Sequence, residues 1–65
     1  MTEQWFPTLG GQVCLLAGRV LGSVTYGTDS QGDPLVTACV PRDGWQQLVP
    51  CADEAGARGV VEGAG

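Results

Sequence analysis

Residues 19–40, RVLGSVTYGTDSQGDPLVTACV, constrain the fold more than any other stretch, because two alternating apolar runs flank a centre built of turn formers. A pleated strand sends successive side chains to opposite faces. In the first run Val20, Gly22, Val24 and Tyr26 therefore share a side, against Arg19, Leu21, Ser23 and Thr25. In the second, Val36, Ala38 and Val40 oppose Leu35, Thr37 and Cys39. Valine and threonine at this density suit a pleat, where branching at Cβ packs well, better than a helix, where it restricts χ1. Between the runs lies GTDSQGDP, in which glycine permits positive φ, aspartate and serine bond nearby backbone, and proline fixes φ and withholds a donor. The stretch predicts a β-hairpin with a surface loop longer than two residues; its register stays open.

The flanking segments read as shorter strands. Residues 12–17, QVCLLA, place Val13, Leu15 and Ala17 on one side and Cys14 and Leu16 on the other. Both sides are apolar, so this strand is either covered on both faces or turns its second face to another molecule. Gly18 marks the bend into the main hairpin. Pro41-Arg42-Asp43-Gly44 predicts a tight turn, with the Asp-Gly pair as its signal, and Trp45 to Val49 follows as a strand with Leu48 pointing away from Trp45, Gln47 and Val49. Pro50 is expected to end that strand. One helical turn is expected over residues 51–55, with Asp53 and Glu54 at its positive end. Gly56 and Gly59 are expected to stop it, leaving Val60 and Val61 for a last short strand before a tail, residues 63–65. Residues 1–11 show neither helical nor strand period and are expected to form an arm. It carries Trp5, Phe6 and Leu9, which either cover an open end of the chain's own core or insert into a neighbouring subunit.

A chain of 65 residues makes one domain. At this size folding buries only about 60% of the surface that the unfolded chain exposes, so a disulfide, a metal or association with neighbours is the usual support. Cys14, Cys39 and Cys51 are an odd number, and no C-x-x-C pair or histidine is present to build a zinc site. The N-terminus lacks the basic start and apolar run of a secretory signal, which predicts a reducing compartment and thiols acting as small hydrophobes. No apolar run approaches membrane-helix length. Three arginines stand against seven acidic residues, with no lysine and a net charge of −4, so nucleic acid is not the expected partner.

With Gly11-Gln12-Val13 entering the first strand, Gly22-Ser23-Val24 in the second, Trp45 to Val49 as the fourth and Pro50 to Ala55 as the turn before the fifth, residues 11–61 resemble small Src-homology-type or KOW-like barrels. That likeness implies an all-β fold: a four- to five-stranded SH3-like barrel over residues 12–62, with the N-terminal arm before it and one helical turn before the last strand. It also implies two kinds of work. KOW-like members bind RNA or ribosomal partners through basic loops, which this acidic chain lacks. Peptide-binding members use an aromatic groove, for which Tyr26 and Trp45 are the candidates. Small β-domains of this kind recur too among phage decoration and minor capsid proteins.

Catalytic signatures are missing. Without histidine the usual acid–base and nucleophilic schemes fall away. Asp53 and Glu54 are neighbours that a helix points to different sides, Asp29 and Asp33 lack calcium-loop spacing, and Gly10-Gly11 lacks a Walker lysine. The sequence thus predicts a non-enzymatic structural or interaction protein without cofactor or metal; the resemblance, with the lysine-free composition, implies a homo-oligomeric decoration or minor component of a phage shell in the virion or host cytoplasm. A cytoplasmic SH3- or KOW-like module that regulates a protein or RNA partner is the alternative. The expected contact residues are Trp5, Phe6, Leu9, Tyr26 and Trp45.

Overall fold

A computed structural model describes residues 2–64. Five antiparallel strands, β1 (Gln4–Thr8), β2 (Gly11–Leu16), β3 (Arg19–Thr28), β4 (Pro34–Arg42) and β5 (Trp45–Cys51), form one sheet in sequence order, and a helix, α1 (Glu54–Gly63), closes the chain. The main hairpin is β3–β4, as expected. Its registered pairs run from Ser23 opposite Cys39 to Thr28 opposite Pro34. The loop between them is held by the Asp29 carboxylate, which accepts from the backbone N–H groups of Gln31 and Asp33, both at 2.9 Å.

Several expectations are corrected. The predicted N-terminal arm contains strand β1, which pairs with β2 from Gln4 opposite Leu15 to Thr8 opposite Gly11; Met1 lies outside the described residues. The barrel does not close, because β1 and β5 are the two outer strands of an open meander. Pro50 does not end β5, which runs on to Cys51. On an edge strand the missing proline N–H is an outward one that no ladder needs. Residues 54–63 are helical throughout, so Gly56 and Gly59 interrupt nothing and Val60 and Val61 belong to the helix, not to a sixth strand. Of the expected tail, Gly63 ends α1 and Ala64 caps it, while Gly65 lies outside the described residues.

The helix forms despite two interior glycines, each worth about 1 kcal/mol against alanine. Asp53 caps its start, its carboxylate accepting from the Gly56 N–H at 2.8 Å, and Glu54 occupies the first turn. Ala57 and Val61, four residues apart on one stripe, are fully buried. Packing of that stripe on the sheet supplies what intrinsic propensity does not.

That contact makes the core. Cys14, Val24, Ala38 and Val40 from one face of the sheet meet Ala57 and Val61, and all six are at most 2% exposed. Every one is small. Gly22 lies beneath Val61, leaving room for the helix to approach: a Cβ there would stand 2.7 Å from the Val61 Cγ1. Between Cys14 and Leu15 the β2–β3 register slips by one residue, so Val20 pairs with Leu15 and Leu21 packs against the core. The strict alternation expected for β3 therefore breaks before Gly22.

Candidate functional site

The strand register leaves the second face of the sheet bare. Phe6 pairs with Val13, Val13 with Ser23, Ser23 with Cys39 and Cys39 with Leu48, so one row crosses all five strands. A parallel row runs Thr8, Gly11, Thr25, Thr37, Pro50. Leu15 and Val20 adjoin the first row beyond the bulge, and Leu35 extends the face along β4. Phe6 is 43% exposed, Val20 57% and Leu48 62%. The buried core uses only small side chains, while the larger Phe6 and Leu48 stay at the surface.

The charge pattern matches that division. The strands carry only two charged residues, Arg19 and Arg42. Arg42 is on the helix side, its guanidinium donating to the Gln47 Oε1 through Nε at 3.1 Å and Nη2 at 2.7 Å, beside Val40 in the register. Arg19 pairs with Leu16, two residues along β2 from the buried Cys14 and so on the same side. No strand position on the bare face is charged.

Of the residues expected to make contacts, the structure brings few together. Trp5 is half-buried on the helix side: its indole N–H donates to the Glu62 Oε2 at 3.1 Å, and the Arg58 guanidinium sits 4.7 Å from the ring centre. Its contacts are with its own helix. Phe6, its neighbour, faces the other way, onto the bare sheet. Leu9 is fully exposed in the β1–β2 turn. Tyr26 accepts from Gln12 Nε2 at 2.6 Å, and the same amide donates to Glu54 Oε1 at 2.8 Å, linking sheet to helix. Through the register Tyr26 aligns with Val36 and Cys51, whereas Trp45 pairs with Arg42 six residues back along β5. At about 3.3 Å per residue that is roughly 20 Å. The two aromatics line no common groove.

Val13, Leu15, Val20, Leu35, Cys39 and Leu48 are apolar members of the face that the expected contact set omits. The apolar second side of residues 12–17 was the signal for it, and the opposite direction of Leu48 from Trp45 was readable as well. The three cysteines are free and divide by environment. Cys14 is buried, and burial, helped by the nearby Glu3 and Glu62 charges, pushes its thiol above the ordinary value of 9.0. Cys51 packs against the core, its thiol donating to the Val49 carbonyl at 3.4 Å. Cys39 lies on the bare face. No helix among the described residues is long and apolar enough to cross a membrane. No protein-family model, curated protein or solved structure matches the chain.

Proposed function

We propose that the chain is a non-enzymatic structural protein that works by protein–protein contact, completing its hydrophobic enclosure inside a homo-oligomeric assembly. The observation that carries this reading is the bare, uncharged sheet face with Phe6, Val20 and Leu48 exposed on it. Large apolar side chains left open on an uncharged face of a small protein mark an interaction site. The polar side chains with resolved contacts serve internal links, as in the set joining Tyr26, Gln12 and Glu54, and the sequence has no histidine for acid–base work. A shell with repeated sites, such as a phage capsid with decoration or minor components, is the assembly that suits a subunit this small, acidic and free of lysine. The virion, or the host cytoplasm during assembly, is then its place. We read the likeness to Src-homology-type and KOW-like barrels as one of strand pattern, β2 to β5 with the long β3–β4 hairpin among them, rather than of ligand groove.

Sedimentation velocity on the full chain over a wide concentration range tests the reading. A sedimentation coefficient that climbs with concentration is expected. A folded chain that stays solitary at every concentration overturns it.

A further inference from the structure

We infer that the bare face is occupied by a second copy of the chain, the two sheets stacking face to face about a two-fold axis between them to make a helix–sheet–sheet–helix dimer. This rests on the assembly reading above and specifies its surface and partner.

Three observations favour a copy over a foreign protein. The first is charge. A two-fold contact sets a patch against itself, so any net charge within it would meet its like. This chain carries −4 overall, yet no strand position of the face is charged, and Arg19 and Arg42 both lie on the helix side. Such a face is compatible with itself and offers no ionic feature for a different partner to read.

The second observation concerns the edges. Sheets also associate by lateral pairing, but here each outer strand carries a proline, Pro7 in β1 and Pro50 in β5. A proline on an edge removes a donor from the row that an incoming strand would use. With the edges blunted and α1 seated on the other face, where Tyr26 and Trp45 stay exposed and Trp45 pairs with Arg42, the bare face is the uncharged apolar surface left for a copy to meet.

The third is area. Five strands about 4.8 Å apart, with roughly six residues of each in register at about 3.3 Å per residue, outline a face of roughly 20 by 20 Å. Accessible surface exceeds that footprint, so two copies bury on the order of 1,000 Å2, the lower end of specific interfaces. Stacked sheets about 10 Å apart interdigitate the side chains of both inner faces, as in a β-sandwich. The expected dimer is concentration-dependent.

Leu48→Glu is the decisive variant. Leu48 is 62% exposed, so the monomer accommodates the carboxylate, while the two-fold buries it twice. Dimerisation should weaken by more than about tenfold, because an unpaired charge is desolvated on each side. Trp45→Glu, at a position 60% exposed on the helix side, should leave dimerisation unchanged. A second measurement needs no substitution. Cleavage after arginine separates Cys39, in fragment 20–42, from Cys51, in fragment 43–58. Alkylation of Cys39 should slow as concentration rises, and that of Cys51 should not. If the wild type associates but Leu48→Glu associates equally well and Cys39 reacts at one rate throughout, the face is not the interface and this inference falls, leaving the assembly reading in place. A wild type that stays monomeric overturns both.

Discussion

The seat of α1 over Gly22 can be tested by adding and removing methyl groups on either side of one contact. In Gly22→Ala the new Cβ would lie 2.7 Å and 3.1 Å from the two Val61 methyls and 2.8 Å from the Cys39 carbonyl oxygen. All are closer than a methyl normally stands, so the helix must lift or the strands shift. Overpacking of this kind costs roughly 1–3 kcal/mol. Val61→Ala removes both methyls from a site with no solvent exposure, a loss of about 2 kcal/mol at roughly 0.8 kcal/mol per group, with a further cavity contribution. In the double variant the clash with Val61 is gone and the added methyl partly fills the space, leaving only the carbonyl contact. The double variant should therefore be more stable than the sum of the single losses by about 1 kcal/mol or more, a coupling typical of residues in contact. For a domain of this length each kcal/mol moves the midpoint by about 4–8 °C. Thermal denaturation by circular dichroism, at a dilution low enough to hold the chain monomeric, resolves that difference. Additivity of the two losses within about 0.5 kcal/mol would mean that the helix does not rest on Gly22.

Two further outcomes follow from backbone and burial. The β2–β3 turn holds Ala17 at φ 54° and Gly18 at φ 79°, the double left-handed geometry that favours Asn-Gly, so Ala17→Asn should raise stability by about 1 kcal/mol, and an unchanged or lowered melting midpoint would refute that reading of the turn. Cys14 is held neutral in the fold, with its thiol above the ordinary value of 9.0. The unfolded chain ionises first as pH rises, so this contribution is whole below about 9 and is lost above it; Cys14→Ala should flatten the alkaline limb of a stability–pH profile, and an unaltered limb would refute the effect.

Much of the sheet was legible in the sequence because strand patterning is local. Alternation around residues 27–34 identified the main hairpin, and Val36, Ala38 and Val40 share a side as the period requires. Asp43-Gly44 and Gly18 marked their turns, with both glycines at positive φ. The direction of Leu48 was right, and the apolar second side of residues 12–17 pointed to the face on which α1 does not pack. Trp5 and Phe6 were harder. Side by side with Pro7, they resembled an irregular arm, yet the pairing of β1 with β2 sends Trp5 to the helix and Phe6 to the bare face. Two residues grouped for one role lie on opposite sides of the sheet.

The sequence by itself determined the course of β2 to β5 and the turns between them, because each depends on residue type and near neighbours. Tertiary structure alone decided the rest. Residues 54–63 contain glycines that disfavour a helix in isolation, and they become one because Ala57 and Val61 find a shallow seat over Gly22. The bulge at Cys14 and Leu15, which turns Leu21 into the core and Val20 out of it, is likewise a property of two paired strands. Which face is covered, and hence which is free to meet a neighbour, is settled by where a helix lands, and contacts between residues far apart in the chain fix that place.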